Sequence, residues 1–222
     1  TRGNEIMTLT NHIKQAVSGK ADSLVIFLHG YGADGNDLLG LADPLREHLP
    51  NTMFMSPDAP NNCGLNPVGF EWFPIPRMDG SSQAQAEAGR DAAVVVLNAF
   101  LDEVAVQTGI PASRTFLLGF SQGCMMSLHV APRRPDALAG VIGMSGMLVA
   151  PEMLAAQAIQ KPPILLVHGD QDDVVPYAEM AKAADVLTVA GFEVFALTSK
   201  GTAHGIAPDG LGAALQFIQQ NL

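Results

Sequence analysis

Residues 115–134 read TFLLGFSQGCMMSLHVAPRR, and this stretch decides the fold. The run from Thr115 to Leu118 is short and largely apolar, which predicts a buried strand. The run from Gln122 to Arg134 predicts a helix. Between them, Gly119-Phe120-Ser121-Gln122-Gly123 matches G-x-S-x-G in the strand–turn–helix context of a nucleophile elbow. The stretch therefore predicts Ser121 as a nucleophile held on a sharp turn.

The residue types of this turn suit nucleophilic chemistry. The flanking glycines remove side chains that would collide with neighbouring backbone. The helix N-terminus directly behind Ser121 favours the negative charge that develops during attack on a carbonyl. The pentapeptide alone is a weak signal, so its position between a strand and a helix carries the prediction.

Short apolar runs alternate with helical patterns along the chain. The predicted strands are 24–28, 52–56, 115–118, 140–144, 164–167 and 192–197. The predicted helices are 37–49, 82–108, 122–134, 176–190 and 208–221. This alternation indicates an α/β fold, with a mostly parallel sheet covered by helices on both faces, and the 222 residues fit one domain. Because ligands of such sheets bind beyond the carboxyl ends of the strands, the residues after each strand are the candidates for a site.

A serine nucleophile needs a base, and chain order selects it. In this kind of fold the order is serine, then an acid, then histidine. Only His168 and His204 follow Ser121. His168 belongs to a strand end, whereas His204 lies in a small-residue loop between the last strand and the last helix, which suits a general base. We therefore expect His204 to be the base.

The acid is expected in the loop after the 164–167 strand. Asp170, Asp172 and Asp173 all lie there. Asp170 directly follows Gly169, so it is a candidate for forming the turn. Spacing alone does not separate the three carboxylates.

An oxyanion hole requires backbone N–H donors beside the nucleophile. The expected donors are the amide of Gln122, which follows Ser121, and the amide of Tyr31 in the loop after the first strand. Gly30 and Gly32 flank Tyr31 and permit a close approach of backbone to substrate.

The substrate walls are predicted from two segments. The long connection from Pro57 to Gly80 carries Trp72 and Phe73, which either line the site or pin the loop to the core. Met144 follows another strand, where a pocket wall and a packing role are both open. We expect all three side chains to contact substrate.

A rival interpretation rests on Gly30-Tyr31-Gly32-Ala33-Asp34-Gly35. It matches the dinucleotide-binding pattern G-x-G-x-x-G after a strand, and Asp58 follows at a suitable distance. A nicotinamide-dependent oxidoreductase is therefore an alternative function. This interpretation explains one loop and assigns no role to Ser121, the acid loop or His204.

Metal and thiol chemistry are weaker alternatives. His168, Asp170 and Asp172 are possible metal ligands, but the spacing offers no second cluster, so no metal is predicted. Cys124 lies one helical turn after Ser121 and is expected to be a small buried residue. With only Cys63 besides, no disulfide framework is expected.

Charge narrows the choice of partners. The chain carries 22 acidic and 12 basic residues, a net charge of −10, which repels phosphate backbones, so nucleic-acid binding is not expected. The charge indicates ordinary solubility or adaptation to salt. We expect a small-molecule ester as substrate, no membrane span and a cytoplasmic location, and a homodimer remains open. Met7 is the expected native start, with residues 1–6 an appended remnant.

Five segments resemble the phospholipase/carboxylesterase family of α/β-hydrolases, which includes acyl-protein thioesterases. They are Phe27-Leu28-His29-Gly30-Tyr31-Gly32, Glu71-Trp72-Phe73-Pro74-Ile75, Gly119-Phe120-Ser121-Gln122-Gly123, Val167-His168-Gly169-Asp170-Gln171-Asp172 with Val174-Val175-Pro176, and Ala203-His204. They run in family order and cover nearly the whole chain.

The resemblance implies a Ser121–Asp172–His204 triad, because the acid of the family is the second aspartate of its H-G-D-x-D stretch. It also implies oxyanion donors at Tyr31 and Gln122, no cofactor, no large lid domain, and an aromatic border at Trp72 and Phe73. The implied activity is a serine carboxylesterase on short- to medium-chain acyl esters, with an acyl thioesterase as the alternative. Two positions depart from the family, since Cys124 replaces a usual glycine and Tyr31 a usual leucine.

Overall fold

The structure is a computed structural model that describes residues 8–222. The predicted start at Met7 and the remnant 1–6 lie outside these residues. The strands are β1 (Asn11–Lys14), β2 (Ser23–Leu28), β3 (Thr52–Pro57), β4 (Asn61–Cys63), β5 (Asn66–Glu71), β6 (Thr115–Phe120), β7 (Gly140–Met144), β8 (Ile164–Gly169) and β9 (Val194–Ser199). The α-helices are α1 (Gly35–Leu39), α2 (Ala42–Arg46), α3 (Pro76–Asp79), α4 (Gln83–Thr108), α5 (Gln122–Val130), α6 (Pro151–Gln157), α7 (Ala178–Val189) and α8 (Pro208–Asn221).

Seven strands form one sheet in the order β1-β3-β2-β6-β7-β8-β9. Every neighbouring pair is parallel except β1 and β3. The parallel strands therefore end at the same edge, where β2, β6, β8 and β9 deliver the loops that carry the predicted site. The predicted α/β-hydrolase fold is confirmed.

Helices cover both faces of the sheet, and the core is split accordingly. On one face, Leu97 and Phe100 of α4 pack with the buried side chains of α5 and α7. On the other face, Leu38 of α1 and Leu45 of α2 pack with Phe217 of α8. Strands β2, β7 and β8 are buried along their whole length, as their continuous apolar runs predict.

Several predicted elements need correction. The predicted helix 37–49 is two short helices, α1 and α2, because Pro44 has no N–H to bond the carbonyl of Gly40. The predicted helix 122–134 ends its α-helical part at Val130, and a 3-10 turn over Ala131–Arg133 contains Pro132. The segment 57–80, predicted as a loop, contains the hairpin of β4 and β5 and the short α3. The edge strand β1 and the helix α6 have no counterpart in the prediction.

The start of α4 shows why its boundary is predictable. Ser82 accepts a hydrogen bond from the Gln85 amide, and the Gln85 side chain accepts one from the Ser82 amide, which forms a capping box. At the other end, Gly109 adopts a left-handed conformation with φ of 70°. The helix runs between these caps for 26 residues.

The elbow is packed backbone to backbone against strand β2. A Cβ atom on Gly123 would lie 1.8 Å from the carbonyl oxygen of Leu28, and one on Gly119 would lie 2.2 Å from the carbonyl oxygen of Gly123. Neither neighbour is a movable side chain. The glycines of G-x-S-x-G are therefore a packing requirement of the junction between β2, β6 and α5.

We predict that Gly123→Ala destabilises the protein by at least about 2 kcal/mol, since the added methyl group overlaps backbone that cannot move independently. Urea denaturation followed by circular dichroism measures this loss. The matched control is Gly212→Ala in α8, where an added Cβ meets nothing within 4 Å. That control should be neutral or stabilising, because glycine weakens a helix interior. Equal effects of the two substitutions would contradict the packing requirement.

Candidate active site

Ser121 occupies the strained turn that the motif predicts. Its φ of 53° and ψ of −114° place a non-glycine residue outside the regions that side chains usually adopt. Its amide donates to the carbonyl oxygen of Met144 at 2.9 Å, which ties the turn to the end of β7. This turn places the Ser121 hydroxyl beyond the edge of the sheet, where Ser121 lines a cavity.

His204 joins Ser121 to Asp172 in one hydrogen-bonded line. Its Nε2 lies 3.0 Å from the Ser121 Oγ, and its Nδ1 lies 2.8 Å from the Asp172 Oδ2. The Asp172 side chain is fully buried, while that of His204 is 17% exposed. The Phe120 ring packs 4.9 Å from the imidazole, centroid to centroid. These distances are those expected of a nucleophile, a base and an orienting acid.

The structure separates the three aspartates that spacing leaves together. Asp170 turns away from the line and accepts a hydrogen bond from the Gly201 amide at 2.7 Å, so it fastens the acid loop to the loop after β9. Asp173 is exposed to solvent. Of the three aspartates, Asp172 is the one that contacts His204, with its Oδ2 2.8 Å from the imidazole Nδ1.

The ionised state of Asp172 is favoured in spite of its burial. Burial acts to raise the pKa of this carboxyl, but hydrogen bonds from His204 and from the amides of Val175 and Val174 outweigh it and hold the pKa below its ordinary value. A buried carboxylate that stays ionised can orient a neutral imidazole and stabilise the imidazolium form.

The loop after β2 runs directly beside the nucleophile. A Cβ atom on Gly30 would lie 3.3 Å from the Ser121 Cβ. The next amides are engaged in the fold, since Gly32 donates to the carbonyl of Phe70 and Ala33 donates to the carbonyl of Gly30. Within residues 8–222, the Tyr31 amide makes no hydrogen bond to another residue. An oxyanion-donor role for this amide stays a prediction.

The second predicted donor is Gln122, the first residue of α5. Amides in the first turn of a helix have no acceptor within the helix. The Gln122 side chain has a separate function that the sequence does not reveal: its Oε1 accepts from the Trp72 amide at 2.8 Å, and its Nε2 donates to the Phe73 carbonyl at 2.7 Å. This fully buried amide fastens the aromatic segment to the elbow.

Trp72 does not border the cavity, contrary to the prediction. Its side chain is completely buried, and its indole Nε1 donates to the carbonyl oxygen of His29 at 3.0 Å. The ring packs at 5.8 Å from that of His29, whose Nε2 accepts from the Ala59 amide. Trp72 therefore supports the loop after β2 through its contact with His29. Its neighbour Phe73 does line the cavity.

Met144 also lies away from the substrate space. Its side chain is buried in the core on the α1 and α8 face of the sheet. Its contribution to the site is the carbonyl oxygen that holds the Ser121 amide. The residue after it, Ser145, has a φ of 50° and donates from its Oγ to the Gly205 carbonyl at 3.4 Å, beside His204.

The hydroxyl of Ser121 opens into a cavity of about 790 Å³. Apolar side chains provide much of the wall: Phe73, Ile75, Met78, Met125, Leu148 and Val149. Tyr31 lines it too, and its hydroxyl donates to Asp79 at 3.3 Å. Polar side chains on the same wall include Glu87 and Arg90 of α4 and Glu179 and Lys182 of α7. The volume lies within the range of small-molecule sites.

The dinucleotide interpretation is not supported by the loop it rests on. The amides of Gly32 and Ala33 bond to protein carbonyls, and the Gly35 amide bonds to the Asp58 carboxylate at 2.8 Å. A pyrophosphate cradle requires such amides to point outward. Asp58 is held by the loop itself and by His12 at 3.2 Å.

Three further observations concern metal ligation, thiol chemistry and membrane-spanning helices. Within the part of the chain that the structure describes, no group of three or more metal-ligating side chains is placed to hold an ion. Burial raises the pKa of the Cys124 thiol to about 12, which disfavours the thiolate form that a cysteine nucleophile requires. Among residues 8–222, no helix is both long enough and apolar enough to cross a membrane.

Comparison with known proteins identifies the family and supports the fold. The model of the phospholipase/carboxylesterase family matches residues 11–222. The chain is 30% identical to acyl-protein thioesterase 1 of Neurospora crassa over 214 residues, covering 89% of this chain and 86% of that protein. The structure of esterase PE8 superposes with a TM-score of 0.92 at 45% identity, covering 96% of this chain and 99% of the other. SOBER1 of Arabidopsis thaliana superposes with a TM-score of 0.79 at 25% identity, covering 90% and 98%.

We predict that Asp172→Asn lowers kcat on a nitrophenyl ester by on the order of 10³-fold or more, because an amide no longer orients and stabilises the imidazole. Steady-state assays measure the loss. The matched control is Asp170→Asn, whose amide oxygen can still accept from Gly201 and whose loss should stay within about 10-fold. A larger loss at position 170 than at 172 would contradict the assignment of the acid.

Proposed function

The chain belongs to the phospholipase/carboxylesterase family of hydrolases, and from this premise we propose that it is a serine carboxylesterase. The observation that carries the proposal is the hydrogen-bonded line from Ser121 through His204 to Asp172, which opens on an apolar cavity. In this proposal the three residues form the catalytic triad and the amides of Tyr31 and Gln122 form the oxyanion hole.

The first half-reaction is acylation of Ser121. His204 Nε2 accepts the hydroxyl proton as Ser121 Oγ attacks the ester carbonyl. Asp172 stabilises the resulting imidazolium, while the two amides stabilise the oxygen that gains negative charge. The intermediate collapses with cleavage of the bond to the alcohol oxygen, which takes the proton from His204 and leaves.

The second half-reaction releases the acid. Water takes the place of the alcohol, gives a proton to His204 and attacks the acyl carbonyl. The bond to Ser121 Oγ breaks, and His204 returns the proton to the serine. Every proton passes through the same Nε2 atom, which explains why the Nδ1 of His204 is held by a buried carboxylate.

The preferred substrates are short- to medium-chain acyl esters. Apolar side chains beside Ser121 and along the cavity suit a hydrocarbon chain. The same cavity is lined by charged groups, among them Glu87, Arg90 and Lys182. A long chain would displace water from these groups without replacing their hydrogen bonds, which is costly. The wall composition therefore favours limited chain length.

An acyl thioesterase is the second candidate, and one observation favours it. The curated relative from Neurospora crassa is called an acyl-protein thioesterase. A thioester carbonyl presents the same acyl group and the same developing oxyanion, so the proposed site could act on both. An oxyester and a thioester of the same acyl group separate the two functions, since our proposal expects the higher kcat/KM for the oxyester.

We predict that a fluorophosphonate probe labels the wild-type protein and fails to label Ser121→Ala, because only an activated serine hydroxyl attacks the phosphorus. Ester hydrolysis should fall by on the order of 10⁴-fold or more in the same variant. The control is Ser127→Ala, which removes another buried hydroxyl of α5 and should leave labelling intact. Labelling of Ser121→Ala at the wild-type rate would reject the nucleophile.

We predict that activity on nitrophenyl esters is highest for acetate to octanoate and that Ala86→Phe, which fills part of the cavity, selectively reduces the longer substrates. Ala86 lies on the cavity wall in α4. The ratio of octanoate to acetate kcat/KM should fall by about 10-fold or more. Ala88→Phe, on the exposed side of α4, should leave the ratio unchanged. A wild-type maximum only at palmitate would contradict the chain-length proposal.

A further inference from the structure

His168 is a second histidine at the carboxylate of Asp172. It lies in β8, four residues before the acid, and its side chain is 1% exposed. Its Nε2 lies 3.0 Å from the carbonyl oxygen of Val175 and 3.1 Å from the Asp172 Oδ2. That oxygen is the one that also faces His204 Nδ1. His168 does not contact Ser121, and the proposed proton transfers do not use it.

The two neighbours of the His168 Nε2 define what this atom does. A backbone carbonyl and an ionised carboxylate only accept hydrogen bonds, so the Nε2 must carry a hydrogen. Its hydrogen bond goes to Val175, and its N–H dipole lies close to Oδ2 as well. The Val175 amide in turn donates to Asp172 Oδ1 at 2.9 Å. His168, Val175 and Asp172 therefore form a closed ring of contacts.

We propose that His168 is a positioning residue for the catalytic acid: its Nε2–H holds the Val175 carbonyl and lies beside the carboxylate oxygen that orients His204. This inference rests on the proposed triad. Through this closed ring of contacts, the His168 imidazole positions both Asp172 oxygens. Its Nε2–H also offsets part of the negative charge on Oδ2, the oxygen that faces His204.

The consequence for pH dependence has a definite sign. Removing the Nε2–H leaves more negative charge on Asp172 Oδ2. The protonated form of His204 is then stabilised more strongly, and the neutral form that accepts the serine proton appears only at higher pH. The acid limb of the kcat/KM profile should therefore move to higher pH when the donor is removed. A residue that only fills space would not move it.

Other titratable groups around His168 do not replace it. The Tyr177 ring, before α7, packs edge-on at 6.0 Å, and its hydroxyl is hydrogen-bonded to Thr198 at 2.6 Å. The Cys124 thiol of α5 borders the same small void of about 10 Å³ as His168 and is neutral. Asp170 is bonded to Gly201, and Asp173 is exposed. The His168 Nε2 itself contacts the carbonyl oxygen of Val175 and the Oδ2 of Asp172.

Two variants test the proposal on the full chain. His168→Gln keeps an N–H donor the same number of bonds from Cα, whereas His168→Leu keeps the bulk and removes the donor. We expect the acid limb of kcat/KM on nitrophenyl acetate to rise by about one pH unit in His168→Leu and to stay near the wild-type position in His168→Gln. An unmoved limb in His168→Leu, or an equal shift in both variants, would overturn the proposal.

A measurement on the wild-type protein covers the case in which His168→Leu does not fold. In protein labelled with ¹⁵N-histidine, His168 should show the Nε2–H form, and its ring resonances should change at the same pH midpoint as those of His204. An Nδ1–H form, or resonances that ignore the titration of His204, would overturn the proposal. This readout needs no substrate. Failure of the proposed function would instead appear as ester turnover that does not depend on Ser121.

Discussion

The backbone contact between β2 and the start of α5 is the constraint on which the site depends. Gly123 passes so close to the Leu28 carbonyl that no side chain fits between them. At the same junction the chain turns at Ser121, whose φ is positive. It also brings Gly30, two residues beyond Leu28, alongside the nucleophile. Ser121 and the loop after β2 are neighbours because two backbones pack without side chains between them.

A buried polar network keeps that arrangement in register. The Gln122 side chain binds both main-chain groups of the aromatic segment, and the Trp72 indole binds the His29 carbonyl. Burial lowers the pKa of His29, so its ring stays neutral and accepts the Ala59 amide. Polar groups in a low-dielectric interior are costly when unpaired, and each of these contacts supplies a partner. The network couples the elbow, the aromatic segment and the loop after β2.

The sequence predicts the parts of the site that depend on order and periodicity. Strand–helix alternation identifies the sheet, the G-x-S-x-G motif between a strand and a helix identifies Ser121, and chain order identifies His204. Choosing Asp172 over Asp170 and Asp173 needs the family resemblance, because loop spacing does not say which carboxylate turns inward. The difference is physical: Asp170 is captured by the Gly201 amide, which is 31 residues away in the chain. Local sequence carries no record of such a partner.

The incorrect predictions of side-chain direction also arise because local sequence does not record the folded surroundings. Trp72 directly follows β5 in an irregular segment, where side-chain direction has no period from which to read it, and its side chain points into the core. Met144 ends β7, which is buried on both faces, so the strand pattern does not say which face its side chain takes. The split of the predicted 37–49 helix was open to sequence reasoning, since Pro44 lies within it. The contact of the Gln122 side chain with Phe73 joins residues 49 positions apart, and the contact of His168 with Val175 depends on how the acid loop folds, so neither can be read from local sequence.

Ser121 is proposed to carry the acyl group during turnover, and rapid-quench mass spectrometry tests this step most directly. The protein is mixed with nitrophenyl butyrate, quenched in acid within milliseconds and digested. We expect a butyryl adduct on Ser121, within a first-turnover burst of nitrophenol. Turnover that leaves Ser121 unmodified, with the adduct on another residue or on none, would contradict it.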